Sequence, residues 1–66
     1  MTIVLNGEPR GVDEDASVDA LVASLGRGPA GVAVAVNGEV VPRSAWCSWR
    51  LAPDDRVEVL TAAQGG

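Results

Sequence analysis

The stretch Val32-Ala33-Val34-Ala35-Val36-Asn37-Gly38-Glu39-Val40-Val41 decides the fold of this 66-residue chain. Its first five residues alternate large and small apolar side chains, which is typical of a β-strand because successive side chains point to opposite faces of a sheet. Asn-Gly between two such runs is the strongest short-range signal for a β-hairpin. The stretch therefore predicts two antiparallel strands, with the valines of the first strand facing a core and the alanines facing outward.

A second hairpin and a helix are predicted on the N-terminal side of this stretch. Thr2-Ile3-Val4-Leu5 is a mainly β-branched run that is followed by Asn6-Gly7. The return strand contains Pro9, which places it at or near a sheet edge because proline cannot donate to the ladder. Ser17 is a good helix N-cap. We predict one main helix near Val18 to Leu25, because apolar residues recur there at the spacing of one helical face.

A last strand is predicted on the C-terminal side, over residues 57–61, after a single helical turn that Ser44 is expected to cap. The order is hairpin, helix, hairpin, short turn and strand. It predicts an α+β fold in which a mixed sheet packs on one main helix and the first strand contacts the last. This is the β-grasp arrangement that ubiquitin uses. We expect one domain over residues 1–61 and a flexible tail over residues 62–66.

The composition argues against most catalytic sites and several kinds of partner. The chain has no histidine, no lysine and a single cysteine. It therefore offers no Ser-His or Cys-His pair, no imidazole metal ligand, no Schiff-base lysine and no cysteine set for an iron–sulfur cluster. A net charge of −4 disfavours nucleic acid, and the lack of a long apolar run disfavours a membrane span or a signal peptide. We expect a non-enzymatic, monomeric, cytoplasmic protein that holds no metal.

Gly65 and Gly66, the last two residues of the sequence, are the most informative feature for function. Two glycines at a chain end hold no turn between two elements, and they add backbone freedom that folding would have to remove. They offer a slender strand without side chains that ends in a carboxylate and can thread a narrow channel in another protein. The alternative interpretation is a frayed terminus without a function.

The open face of the predicted sheet offers a mildly apolar patch near this tail. Ala33 and Ala35 lie on that face if the valines beside them point inward, and Leu60 joins them because Val57 and Val59 face the core. Such a patch suits docking on a partner, although isolated apolar residues are normal on protein surfaces. We therefore predict that Ala33, Ala35 and Leu60 belong to a docking face.

Two other residues have an ordinary structural interpretation. Trp46 is expected to close one end of the core, since a domain of this size has few large apolar side chains. Cys47 has no basic neighbour and no second cysteine with which to pair. We interpret it as a small filler or an incidental surface residue.

Taken together, these residues resemble the thiamine-biosynthesis sulfur carrier family of ubiquitin-like proteins. The resemblance is carried by Val-Asn-Gly-Glu-Val-Val-Pro-Arg-Ser-Ala-Trp at 36–46, by Asp-Arg-Val-Glu-Val at 55–59 and by Gln-Gly-Gly at 64–66. It covers essentially the whole chain, and its Asn-Gly-x-Val-Val-Pro-Arg stretch is fairly specific. A terminal Gly-Gly alone is shared with the small subunit of molybdopterin synthase and with ubiquitin-like modifiers.

The resemblance implies that Gly66 is the residue that reacts. In the family, an E1-like adenylating enzyme uses ATP to convert the terminal carboxylate to an acyl-adenylate. Sulfur from a cysteine persulfide route then replaces AMP, and the resulting thiocarboxylate donates sulfur to thiazole synthase. The chain itself would bind no cofactor, because the ATP and magnesium belong to the adenylating enzyme. Gly65 would provide access, since a β-carbon there would crowd the channel to the adenylation site.

Two other functions stay open from the sequence. One is a sulfur carrier or subunit for molybdopterin or cysteine synthesis, which would use the same tail with other partners. The other is a β-grasp interaction module whose tail has no chemical role. Genomic neighbours would distinguish a molybdopterin or cysteine carrier from a thiamine carrier. Substitutions in the tail would distinguish either carrier from the interaction module.

Overall fold

A computed structural model of the protein describes residues 1–26 and 31–61. Within these residues, two hairpins flank one α-helix and are followed by a 3₁₀ turn and a last strand, which is the predicted order. The elements are β1 Thr2–Leu5, β2 Glu8–Gly11, α1 Val18–Ser24, β3 Val32–Val36, β4 Glu39–Val40, the 3₁₀ turn Arg43–Ala45 and β5 Arg56–Thr61.

The strands form a mixed sheet in the order β2-β1-β5-β3-β4. β5 lies in the centre, parallel to β1 and antiparallel to β3, and each hairpin adds one antiparallel pair. The first strand therefore contacts the last, with Val4 opposite Arg56 and Leu5 opposite Val57. The predicted α+β, β-grasp fold is confirmed. Because β5 is paired on both sides, its course is fixed more firmly than that of an edge strand.

Both Asn-Gly pairs form the predicted hairpin turns. The φ angles are 50° at Asn6 and 84° at Gly7, and 52° at Asn37 and 83° at Gly38. Two consecutive positive φ angles define a type I′ turn, whose twist matches that of the flanking strands. Glycine adopts this conformation without a steric cost, and asparagine tolerates it better than most residues do.

The helix begins at the predicted N-cap. The Ser17 side-chain oxygen accepts a hydrogen bond of 3.1 Å from the backbone N–H of Ala20. The helix ends at Ser24, with Leu25 as its C-cap, so it is one residue shorter than predicted. Gly26 follows with a φ of 73°, a left-handed conformation that commonly ends a helix.

Substitution Ser17→Ala is expected to lower the free energy of unfolding by about 1 kcal/mol, because the Ala20 N–H loses its acceptor at the helix start. Ser24→Ala is the matched control, since Ser24 lies in the last turn and donates to the Leu21 carbonyl without capping a free N–H group. Urea denaturation of the three proteins measures both changes. Equal stability of the two variants would contradict the capping role.

The core lies between α1 and one face of the sheet, and a long loop closes it. Trp46 is 2% exposed, and its indole N–H donates a 3.0 Å hydrogen bond to the Val41 carbonyl. This confirms that Trp46 closes one end of the core. The buried apolar residues are Ile3, Ala16, Val18, Leu21, Val22, Val34, Val36, Val41, Trp46, Leu51, Val57 and Val59.

The predicted cap at Ser44 is wrong. The 3₁₀ turn begins one residue earlier, at Arg43, and Pro42 occupies the N-cap position with no side-chain hydrogen bond. The Pro42 carbonyl accepts from the Ala45 N–H at 2.8 Å, and the φ of Pro42 is −62°. The fixed φ of proline directs the chain into the turn, so a side-chain cap is not needed.

Candidate functional site: the open face of the sheet

The face of the sheet away from α1 carries the residues predicted for docking. Ala33 lies opposite Leu60 and Ala35 opposite Glu58 in the β3–β5 ladder. The alternate pair, Val34 and Val59, is buried against the helix side. The structure therefore brings Ala33, Ala35 and Leu60 together on the open face, as the alternation predicts. Their contact with a partner stays a prediction.

A fourth apolar residue belongs to this patch. Val40 lies opposite Ala35 in the β3–β4 ladder, so it shares the open face. Val40 and Leu60 are the exposed large apolar side chains of the described part of the chain, at 71% and 66% exposure. We call Ala33, Ala35, Val40 and Leu60 the open-face patch. Sequence reasoning overlooked Val40, although only one residue of a Val-Val pair in a strand can face the core.

The open face is polar at its other end. Arg56 and Glu58 precede Leu60 on the same side of β5, since they occupy alternate positions. They line a shallow depression of about 670 Å³ together with Val4, Gly7, Asn37 and Gly38. Along β5, the open face thus changes from the charged Arg56 and Glu58 to the apolar Leu60, next to Thr61, where β5 ends.

The two turn asparagines also fix β5 from opposite sides. The Asn6 side-chain oxygen accepts from the Val59 N–H at 2.9 Å, and its amide nitrogen donates to the Val59 carbonyl at 3.2 Å. The Asn37 side-chain oxygen accepts from the Arg56 N–H at 2.9 Å, and its nitrogen donates to an Asp55 carboxylate oxygen at 3.0 Å. Asn37 thus holds the beginning of β5 from the β3 side, and Asn6 holds a later position from the β1 side.

Gly66, the predicted reacting residue, and Gly65, which is predicted to provide access, lie outside the described residues, as does the whole predicted tail over 62–66. The last described residue is Thr61, which pairs with Val32 of β3. The sheet therefore carries the chain to residue 61 beside the open-face patch. The division into a domain over residues 1–61 and a flexible tail stays a prediction.

Several features are absent from residues 1–26 and 31–61. No group of three or more His, Cys, Asp and Glu side chains lies close enough together there to hold a metal ion. Cys47 is an exposed free thiol, in agreement with its interpretation as an incidental surface residue. No helix in that part of the chain is long and apolar enough to cross a membrane, since α1 has seven residues.

Comparison with known families and structures agrees with this geometry. The model of the ThiS family matches residues 3–66, which include both terminal glycines. The crystal structure of a thiamine biosynthesis protein (ThiS) from Geobacter metallireducens superposes with a TM-score of 0.83 at 36% identity, over all of both chains. A solution structure from the same organism gives 0.82 at 36% identity, over all of this chain and 88% of the other.

Curated relatives are longer than this chain. Proteins named thiazole synthase from Paramagnetospirillum magneticum and Magnetococcus marinus are 35% and 38% identical to it over 66 residues. Those residues are all of this chain but 20% of each relative. The chain thus spans about a fifth of the length of the curated relatives it matches.

Proposed function

Because this chain belongs to the ThiS family, we propose that it is a sulfur carrier of thiamine biosynthesis and serves its partner enzymes as a co-substrate rather than as a catalyst. The observation that carries the proposal is that the family match extends through Gly66. The last strand of the sheet leads toward that tail beside an exposed apolar patch. The reacting group is the α-carboxylate of Gly66.

The chemistry requires activation by another enzyme, since a carboxylate is a poor electrophile. A Gly66 carboxylate oxygen attacks the α-phosphorus of ATP, pyrophosphate leaves, and an acyl-adenylate forms. A persulfide sulfur attacks the acyl carbon and AMP leaves. A thiol then cleaves the S–S bond, which yields the Gly66 thiocarboxylate and a disulfide. ATP and magnesium are bound by the adenylating enzyme. Gly65 allows the tail to enter the channel of that enzyme, because glycine has no β-carbon.

Two partners follow from this role, an E1-like adenylating enzyme and thiazole synthase. The curated relatives named thiazole synthase support the second, because they include a region similar to this chain. The open-face patch is the proposed docking surface, since burial of exposed apolar side chains such as Leu60 and Val40 favours association. We propose that the carrier is a monomer of the cytoplasm when it is free.

The test is mass spectrometry of the protein with the adenylating enzyme encoded in the same genome, ATP, magnesium and a persulfide donor. The intact mass before reaction must equal that of a polypeptide that ends at Gly66. The expected product is heavier by the difference between sulfur and oxygen, and the change maps to the C-terminal peptide. No change in mass would contradict the carrier function.

A second step separates the thiamine pathway from the alternatives. The thiocarboxylate form is offered in parallel to thiazole synthase, molybdopterin synthase and a cysteine-forming enzyme. Loss of sulfur to thiazole synthase alone is expected. Transfer only to one of the other two enzymes would assign the carrier to that pathway.

A further inference from the structure

We propose that Asn6 is a positioning residue for the reaction at Gly66, because its side chain fixes the part of β5 that leads into the tail. This inference rests on the proposed carrier function. It concerns a residue that lies far from Gly66 in the sequence and that the reaction itself does not use.

The hydrogen bonds of Asn6 continue the parallel ladder beyond the end of β1. The backbone N–H of Asn6 donates to the Val57 carbonyl at 2.8 Å, and the side-chain amide then pairs with both the N–H and the carbonyl of Val59. The side chain therefore takes the place of one further strand residue. β1 cannot supply that residue, because the chain turns away at Asn6 and Gly7 into the first hairpin.

The position of this contact matters because Val59 lies close to the end of β5. Leu60 and Thr61 come directly after Val59, and the tail begins at residue 62. Without the Asn6 side chain, Val59 keeps its neighbours on β3 but has no other hydrogen-bond partner on the β1 side within the described part of the chain. The end of β5 would then be held from one side only, like an edge strand.

The rate of a reaction at the end of a tail depends on where the tail places the reacting group. Misplacement of a reacting group by about 1 Å can cost about a hundredfold in rate. In the complex, where the sheet is docked and the tail is threaded into the channel, a less firmly held β5 would start the tail from a wider range of positions, and the Gly66 carboxylate would meet the α-phosphorus less often. The open-face patch would still dock, so binding would change less than turnover.

Asn37 offers a matched control within the same chain. It occupies the same position of the same type of turn, with nearly the same φ, and its side chain also makes two hydrogen bonds. It holds the start of β5, at Arg56, far from the tail. Glycine accepts the turn conformation at both sites, so Asn6→Gly and Asn37→Gly each remove two side-chain hydrogen bonds without straining the turn.

The experiment measures adenylation by the adenylating enzyme, through pyrophosphate release, as a function of carrier concentration. For Asn6→Gly we expect kcat to fall about tenfold with KM within about twofold of wild type, and for Asn37→Gly we expect both constants to stay within about twofold. Amide hydrogen exchange of the free proteins is the second measurement. The Val59 amide is expected to exchange at least about tenfold faster in Asn6→Gly than in Asn37→Gly.

Each outcome decides one proposal. Equal kcat values for the two variants, or equal exchange rates of the Val59 amide, would overturn the positioning role of Asn6. The carrier function would still be supported if the wild-type protein reacts. An inactive wild type would overturn the carrier function, and the role of Asn6 with it. If Asn6→Gly does not fold, Asn6→Asp replaces it and Asn37→Gly stays the control, since aspartate tolerates the turn but loses the donor to the Val59 carbonyl.

Discussion

One alanine added after Gly66 is expected to abolish conversion of the protein to its thiocarboxylate. The extra residue replaces the reacting carboxylate with a peptide bond and moves the new carboxylate away by the length of one residue. Because a displacement of even about 1 Å can cost about a hundredfold in rate, we expect the rate to fall by more than about a hundredfold. Deletion of Gly66 should have a similar effect, since the acyl carbon then falls short of the nucleotide. Both are measured by intact mass after reaction with the adenylating enzyme, ATP and a persulfide donor.

The control for this experiment is Gln64→Ala, which alters the same tail but keeps its length and both glycines. It is expected to react at a rate close to that of wild type. The circular dichroism of all three variants should match that of wild type, because the core residues extend from Ile3 to Val59 and include none of the altered positions. Normal sulfuration of an extended protein that has not been trimmed would contradict the carrier function.

The hairpins and the helix were predictable because local signals fix them. Asn-Gly favours a type I′ turn wherever two strands flank it, and both pairs adopt that turn. Ser17 at the start of an apolar periodicity likewise predicts a helix with its cap. The order of these elements then leaves few ways to bury all of the apolar faces, which is why the β-grasp fold follows from the sequence.

The features that the sequence did not predict depend on register between distant strands. Asn6 and Val59 are 53 residues apart, so no local pattern indicates that they pair. Asn37 and Arg56 are 19 residues apart and meet only because β3 and β5 are neighbours. The outward position of Val40 is a different case, since β3 and β4 are joined by the Asn37-Gly38 turn and alternation within β4 could have indicated it. Sequence reasoning thus located the open face of the sheet but only part of its apolar surface.

The second large effect is expected at the open-face patch, the proposed docking surface, which has no polar or charged side chain of its own. Leu60 lies on the β5 side of the patch, opposite Ala33 in the ladder and next to the end of β5. Its side chain is 66% exposed in the free protein, so a change there leaves the core intact. In a complex that covers the patch, the same side chain would be buried. A charge at this position would then lose its solvation without gaining a partner.

Leu60→Asp is therefore expected to raise the dissociation constant for the adenylating enzyme by at least about 30-fold, the effect of a hot-spot residue. Thr61→Asp is the matched control, because it introduces the same charge on the neighbouring residue of β5, which alternation directs to the opposite face. It is expected to change the dissociation constant by less than about threefold, since an exposed charge outside the interface has little effect on affinity.

Binding titration of the three proteins gives both values, and thermal unfolding shows whether each variant remains folded. Equal weakening by the two substitutions would indicate a general effect of charge rather than contact with the open face, and unchanged affinity of folded Leu60→Asp would remove Leu60 from the docking surface.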